Sequence, residues 1–247
     1  TDSPMSEMLA MQKAEANSAF AKFIKKNYAN WVSDEKGATN TRKPSSENTD
    51  RPLMSPDLFK RILFPLLDKG EKIFFIVLDN FRYDQWRVLA NELSGLFNIE
   101  EQLYFSILPT ATQYARNAIF SGLMPDQIAK LFPELWIDED EEENKNLNEA
   151  PLIRTIIERY RRSDTFSYHK INDASSAERL LAQLPALAQN DLNIAVFNFI
   201  DMLSHSRTES KMIRELASTE AAYRSITLSW FRHSPLSDLL KALASRQ

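Results

Sequence analysis

Two runs of apolar residues, each ending at an aspartate, constrain the fold of this chain more than any other feature. The first run is Ile73–Leu78, followed by Asp79, and the second is Ile194–Ile200, followed by Asp201. A strand with one solvated face alternates apolar and polar residues, whereas a strand covered on both faces is apolar throughout. Both runs are therefore predicted to be strands buried on both faces of a sheet.

The carboxylate after the first strand has two interpretations. In open α/β sheets, ligands bind at the carboxyl ends of parallel strands, and Asp79 would lie at such an end. Alternatively, Asp79 caps the helix that follows, since Asp-Asn is a favourable turn and cap pair and Asn80 is the next residue. This stretch by itself does not decide between the two.

The rest of the chain alternates between helical and extended patterns. This alternation predicts an α/β fold with a mostly parallel sheet sandwiched by helices. Shorter strands are expected at Leu103–Leu108 and Phe166–His169. Helices are expected at Met5–Trp31 (one or two), Pro56–Lys69, Arg82–Leu96, Thr112–Ser121, Leu152–Arg162, Ala174–Gln189, Glu209–Phe231 and from Pro235 onward.

A polar segment separates the first helical region from the apolar runs. Ser33–Pro56 is rich in Gly, Pro, Ser, Asn and Asp, which is typical of a linker or surface loop. We therefore expect residues 1–50 to form a helical linker segment with its loop, and residues 51–247 to form the main domain. The acidic run Asp138–Glu143 is expected to be a solvated loop.

Composition excludes several classes of function. The 247 residues include no cysteine, so disulfides and thiolate metal sites are excluded. The four glycines do not form a phosphate-binding loop, and a net charge of −4 argues against a protein that coats DNA. No apolar run approaches the roughly 18–20 residues needed to span a membrane, and no signal-peptide core is present. The expected location is the cytoplasm, without membrane insertion.

Three features are expected at one edge of the predicted sheet. Asp79 ends one strand, and Asp201 ends another with His205 four residues on, so that both can face one point on a helical turn. The turn Pro109–Thr112, which contains Thr110 and Thr112, brings a hydroxyl to a helix N-terminus, which favours anions. Carboxylates and an imidazole suit Zn²⁺, and a metal-bound threonine is a nucleophile at neutral pH. The alternatives are a simple N-cap for the threonine and a surface pair for Asp201 and His205.

Four segments carry a resemblance to a known family. In chain order they are VLDNFRYDQW, LPTATQYARNAIFSGLMP, NFIDMLSHSR and SITLSWFRHSPL. This order resembles the PglZ domain, a branch of the alkaline phosphatase superfamily, and in particular the branch found in PorX-type response regulators. The resemblance covers Pro52–Gln247 and implies an alkaline phosphatase-like fold, with residues 51–247 as the N-terminal part of the domain.

The resemblance also implies roles for the residues at the sheet edge. In relatives with a Pro-Thr-x-Thr turn, the second threonine is the nucleophile and a metal ligand, and a small-Gly pair follows ten residues on. Thr112 and Ser121-Gly122 match this pattern, so Thr112 is preferred over Thr110. By the same resemblance, Asp79 shares a zinc ion with the nucleophile.

The remaining roles follow from the same resemblance. Asp201 and His205 match the Asp-x-x-x-His ligands of the second zinc ion. Arg116 or Asn117, on the helix behind the nucleophile, is expected to hold a phosphoryl oxygen.

The chain departs from the family pattern in what it lacks. The family's two zinc ions need a further Asp-His pair and one more histidine, and this sequence contains neither. A receiver domain is expected before the first helices. His233 is expected to be a helix-end residue and not a substitute ligand. We therefore expect the chain to be a fragment that is incomplete for catalysis by itself.

The leading hypothesis from these features is a zinc-dependent phosphodiesterase that acts through Thr112. The resemblance points to cyclic or linear oligonucleotide signals as substrates, to control by receiver phosphorylation and to type IX secretion. The partners it implies are a histidine kinase, a cytoplasmic component of the secretion system or a sigma factor, and a second copy of the chain in a homodimer.

Two other hypotheses remain open. One is a signalling scaffold in which a non-catalytic phosphatase fold presents an interaction surface. A phosphomonoesterase or sulfatase ranks lower, because sulfatases use a modified cysteine or serine. The aromatic residues Phe81, Tyr83 and Trp86 are expected to serve core or helix packing, with base stacking as the alternative.

Overall fold

The computed structural model describes residues 3–36, 51–136, 148–198 and 219–246. The chain divides into two compact units, Thr1–Leu53 and Met54–Gln247. In the first unit, helix α1 runs without interruption over Pro4–Lys36, so the linker or loop predicted from Ser33 is wrong for residues 33–36. Much of the apolar surface of α1 is exposed, namely Met5, Met8, Leu9, Met11, Phe20 and Phe23.

The second unit is built on a parallel sheet. Strands β1 (Ile73–Leu78), β2 (Phe166–Ile171) and β3 (Leu192–Phe197) lie in the order β1-β3-β2. The register aligns the last residue of β3 with the last residues of both neighbours, so the three carboxyl ends meet at one edge. The predicted α/β fold with a parallel sheet is confirmed.

The two apolar runs differ in how deeply they are buried. Every residue of β3 is buried, as predicted for a central strand. Every residue of β1 is only half-buried, so the expectation of burial on both faces is wrong for this strand. The reason is its position, because among the described residues β1 pairs with β3 alone and forms an edge of the sheet.

Helices α3 (Tyr83–Leu93), α7 (Ala174–Leu187), α8 (Glu220–Arg232) and α9 (Pro235–Ala244) contribute to one hydrophobic core with alternate residues of the strands. This core explains the apolar spacing of these helices, because their apolar positions are its buried members. It consists of Leu89, Leu93, Ile171, Ala177, Leu180, Leu184, Leu187, Ala195, Phe197, Phe231, Leu236 and Leu239.

Aromatic side chains cover the opposite face of the sheet. Phe75 points away from the core described above, because side chains alternate along a strand, and its ring lies 5.9 Å from Phe59. Phe59 also contacts Phe120 on helix α4 (Thr112–Ser121), and Phe120 contacts Tyr168 of β2. Helix α6 (Glu149–Arg159) packs against α4, so both helices belong to the layer on this face of the sheet.

The remaining elements are short. The predicted helix Pro56–Lys69 is divided into a 3-10 turn at Ser55–Asp57, a π-helical stretch at Phe59–Leu63 and helix α2 at Phe64–Asp68. Helix α5 spans Pro125–Leu131, and a 3-10 turn follows at Pro133–Leu135.

The predicted strand Leu103–Leu108 is wrong. Only Phe105 makes a bridge, to Met54. The backbone N–H of Ile107 donates to Oγ of Ser55, so the 3-10 turn takes the place of a sheet neighbour.

Two other predictions concern segments that lie partly or wholly outside the described residues. Helix α8 begins at Glu220, because Thr219 is extended and its side chain caps the helix. Residues 209–218 of the predicted helix and the acidic run Asp138–Glu143 lie outside the described residues. No helix in the described ranges is both long enough and apolar enough to cross a membrane.

Candidate active site

Each strand of the sheet is followed by an aspartate or asparagine. Asp79 follows β1, Asn198 follows β3 and Asn172 follows β2. The backbone N–H of Asp79 donates to the carbonyl of Phe197, which continues the pairing one residue beyond the strands. The side-chain amide of Asn198 donates to Oδ1 of Asn172 at 2.5 Å. The edge is therefore lined by three short polar side chains, as expected of a ligand-binding edge.

Thr112 reaches this edge from the other layer. It is the first residue of α4, and its Oγ1 lies 3.5 Å from Oδ2 of Asp79. Ala111 occupies the N-cap position without a side-chain cap, so the hydroxyl of Thr112 is not used to cap its own helix. The hydroxyl thus lies at a helix N-terminus, which favours a phosphate, and faces a carboxylate, which is a suitable ligand for a divalent cation.

Arg116 lies one turn further along α4 and is 4% exposed. Its Nη1 lies 3.1 Å from Oδ2 of Asp79 and donates to Oδ1 of Asn198 at 3.4 Å. Its Nε donates to Oε1 of Glu149 at 2.7 Å, and Nη2 lies 2.6 Å from the same oxygen without hydrogen-bond alignment. One guanidinium therefore joins two carboxylates, one at the sheet edge and one in the interior.

Glu149, the first residue of α6, is fully buried. Its Oε2 accepts a hydrogen bond from the hydroxyl of Tyr168 on β2. Burial raises the pKa of the Glu149 carboxyl, and the nearby Arg116 guanidinium acts in the opposite direction. Burial and the adjacent carboxylate raise the pKa of Tyr168, which keeps its hydroxyl protonated as the donor.

The two candidates for the phosphoryl contact differ in position. The structure brings Arg116 to Asp79, whereas Asn117 is the next residue along the helix and is 6% exposed. Within the described ranges, Oδ1 of Asn117 has no hydrogen-bond partner. In this part of the chain, no hydrogen bond of Oδ1 links Asn117 to the sheet edge.

The structure describes only part of the predicted metal site. Asp201 and His205 lie outside the described residues. In the ranges that are described, no group of three or more His, Cys, Asp or Glu side chains is arranged to hold an ion. The carboxylate of Asp79 and the hydroxyl of Thr112 are oxygen donors at 3.5 Å from each other, and this chemistry fits a divalent cation. The described residues thus supply two of the four predicted ligands.

Four site residues were missed by the sequence reasoning. Asn198 is the one polar residue inside the second apolar run, and Asn172 lies shortly after a predicted strand. Their positions in the sequence could therefore have indicated that both lie at the sheet edge. Glu149 and Tyr168 had none, because nothing in their local sequence distinguishes a buried carboxylate or phenol from an exposed one.

Other candidate residues lie away from the edge. His233 is exposed at the end of α8, where Nδ1 contacts the carbonyl of Ser229, as expected of a helix-end residue. Phe81 and Trp86 pack against the core, as predicted. Tyr83 is 54% exposed at the start of α3, so it is not a core residue; its hydroxyl donates to Glu101 on the surface.

A comparison with protein families assigns the chain. Residues 58–246 match the model of the BREX system PglZ alkaline phosphatase-like domain. The chain belongs to the PglZ family. Residues 1–32 match the PorX response regulator linker domain, and no curated protein matches the chain significantly.

Membership of the PglZ family confirms the resemblance inferred from the sequence. The PglZ domain is of the phosphoesterase type by fold, and the alkaline phosphatase-like superfamily generally uses metal ions.

Proposed function

We propose that this PglZ domain is a metal-dependent phosphodiesterase with Thr112 as its nucleophile. One observation carries the proposal: the hydroxyl of Thr112 lies 3.5 Å from the carboxylate of Asp79, at the carboxyl edge of a parallel sheet. A nucleophile beside a metal-ligating carboxylate is the arrangement that hydrolysis of a phosphate ester requires. The family match supports the same reaction class.

The proposed metal is Zn²⁺, with two ions in a complete domain. Asp79 and Thr112 would hold one ion, and Asp201 and His205 would hold the other. When bound, the ions lower the pKa of a coordinated hydroxyl and neutralise charge on the phosphate. The remaining ligands are proposed to lie outside this chain.

The chain's own residues then perform the transfer. The hydroxyl of Thr112 loses its proton as its oxygen forms a bond to phosphorus, and the bond from phosphorus to one ester oxygen breaks. That oxygen takes up a proton and leaves as an alcohol, so the intermediate is a phosphodiester of Thr112 that keeps the other ester group of the substrate. Water then cleaves the bond between phosphorus and the threonine oxygen, which restores the hydroxyl and releases a phosphate monoester. Nη1 of Arg116 donates to the carboxylate of Asp79, which supports a role for this nitrogen as a donor to a phosphoryl oxygen during both steps.

The proposed context is a cytoplasmic two-component response regulator. The match of residues 1–32 to the PorX response regulator linker supports it, as does the long helix α1. Residues 1–50 would connect a receiver domain to the PglZ domain in residues 51–247. The proposed substrates are cyclic or linear oligonucleotide signals. The proposed partners are a histidine kinase, a component of type IX secretion or a sigma factor, and a second copy of the protein.

The test is an assay of the full-length protein that contains this chain. Turnover of a generic aryl phosphodiester and bound zinc are measured together for the wild type and for Thr112→Val. We expect the variant to lose at least about 1,000-fold in turnover, because the nucleophile is removed. Thr110→Val is the matched control, since this threonine is exposed in the same turn, and we expect it to keep its activity. Unchanged turnover in Thr112→Val would remove this residue as the nucleophile.

A second candidate function is a non-catalytic signalling scaffold. The observation that favours it is the exposed apolar surface of α1, since exposed apolar patches mark interaction sites. The same assay separates the two candidates. A wild-type protein that binds zinc but does not turn over the phosphodiester would favour the scaffold.

A further inference from the structure

Arginine beside a carboxylate normally forms a fork with two parallel N–H bonds. Arg116 does not do this with Asp79, because only Nη1 reaches that carboxylate. The Nε and Nη2 side of its guanidinium faces Glu149 instead, at 2.7 and 2.6 Å. Arg116 therefore presents a single nitrogen to the sheet edge.

Glu149 is held in this position from a different part of the fold. It is fully buried at the start of α6, and its second oxygen accepts from the hydroxyl of Tyr168 on β2. A helix and a strand thus fix the two oxygens of one carboxylate. The guanidinium that this carboxylate contacts cannot turn toward Asp79 without leaving Glu149 buried and unpaired, which is costly.

We propose that Glu149 is a positioning residue that keeps the carboxylate of Asp79 available to a cation. Arg116 and Glu149 cancel each other's charge, so Asp79 retains a negative charge that a metal ion can use. Without Glu149, Arg116 is free to form the full fork with Asp79 and to neutralise it. The metal part of this inference rests on the proposed function, whereas the contact between Arg116 and Asp79 can be measured without metal.

The first experiment measures zinc binding by calorimetry on the full-length protein. We expect Glu149→Gln to weaken zinc binding by about tenfold or more, as does the loss of residues that orient the metal ligands at other metal sites. In an Arg116→Gln background, the same substitution is expected to have little further effect, because Glu149 acts through Arg116. An equal loss in both backgrounds, or wild-type zinc affinity in Glu149→Gln, would overturn the proposal.

The second experiment uses a chelator and measures melting temperatures. Asp79→Asn is compared in the wild-type and Glu149→Gln backgrounds. We expect the larger fall in the Glu149→Gln background, because there Asp79 receives the whole fork of Arg116. Equal falls would contradict the proposal. This result does not depend on turnover or on zinc. It therefore tests whether Glu149 holds Arg116 away from Asp79 even if the protein proves not to be a hydrolase.

Two further variants protect the test against misfolding. Tyr168→Phe removes one hydrogen bond to Glu149 but keeps the carboxylate of Glu149. We expect Tyr168→Phe to lose less zinc affinity than Glu149→Gln does. Ser167→Ala is the matched control, since Ser167 is the preceding residue of β2 and donates to Asn193 on the other face of the sheet. We expect it to leave zinc affinity unchanged. A loss of zinc affinity in Ser167→Ala equal to that in Tyr168→Phe would mean that the strand is merely destabilised, which would overturn the positioning role.

Discussion

Arg116 and Glu149 form a buried ion pair that joins the second turn of α4 to the first turn of α6. A second pair of the same residue types, Arg232 and Glu92, has comparable distances of 3.0 and 2.7 Å but lies on the surface. The residue types and distances are similar, whereas the burial differs, and Arg232 donates to both oxygens of Glu92 while Arg116 faces one oxygen of Glu149. The two pairs therefore allow a buried and an exposed arginine–glutamate pair to be compared within one protein.

Removal of the buried arginine side chain is predicted to be strongly destabilising. Arg116→Gln leaves the carboxylate of Glu149 without its partner, and we expect the free energy of unfolding to fall by about 3–5 kcal/mol. Arg232→Gln breaks the exposed pair and is expected to leave that free energy nearly unchanged, because solvent screens surface pairs. Urea denaturation of both variants in the presence of a chelator gives the comparison. Equal losses would show that burial of the first pair has no energetic importance.

A hydrogen bond between α3 and α8 is predicted to matter in the same way. Nε2 of Gln85 donates to Oγ1 of Thr227 at 3.1 Å, and both side chains are fully buried. Thr227→Val keeps the shape but leaves the amide unpaired, so we expect a loss of about 1–3 kcal/mol in the free energy of unfolding. Ser225→Ala removes an exposed hydroxyl from the same helix and is expected to change it by less than about 0.5 kcal/mol. Chemical denaturation distinguishes the two outcomes.

The strands and the sheet edge could be predicted from the sequence because their signals are local. The apolar runs predicted β1 and the central strand, and the residue after the first run predicted a carboxylate at the sheet edge. The turn before α4 supplied the hydroxyl of Thr112, which lies 3.5 Å from this carboxylate. Periodicity and turn residues decide such features within about ten residues of chain.

Features that depend on distant partners could not be predicted. The half-burial of β1 follows from its place at the edge of the sheet, which its own sequence does not encode. Leu103–Leu108 has the composition of a strand, yet Ser55 provides the backbone contact there. The buried state of Glu149 follows from Arg116 and Tyr168, which are 33 and 19 residues away along the chain.

Of the three glycines in the described part of the chain, Gly122 is predicted to be the least tolerant of substitution. Its φ is +67°, and a Cβ built on it would lie 2.6 Å from Cδ1 of Ile156. We expect Gly122→Ala to lower the free energy of unfolding by about 2–4 kcal/mol, from backbone strain and overpacking together. Gly70 has a φ of +81° but an open surrounding, so Gly70→Ala isolates the backbone part and is expected to cost about 1 kcal/mol.

Gly95→Ala is the control for this series. No atom lies within 4 Å of its added Cβ, and its backbone is not left-handed. We expect no loss of stability, because alanine also restricts the unfolded chain. The order of loss should therefore be Gly122, then Gly70, then Gly95, as measured by urea denaturation. A loss at Gly95 equal to that at Gly122 would contradict the assignment of strain to the end of α4.

His169 is predicted to make stability depend on pH. Its ring lies on β2 with Nε2 at 2.9 Å from Oγ of Ser167, and burial lowers its pKa because the charged imidazolium is disfavoured there. As pH falls through the ordinary histidine pKa of about 6.5, the unfolded chain takes up a proton before the folded chain does. Stability should therefore fall with falling pH in this range, until the folded His169 also becomes protonated. The slope for one histidine is at most about 1.4 kcal/mol per pH unit, and smaller for a partly buried ring.

The difference in the free energy of unfolding between wild type and His169→Gln, measured from about pH 8 to pH 5, isolates this contribution from other titrating groups. A constant difference across that range would show that His169 titrates alike in the folded and unfolded chains.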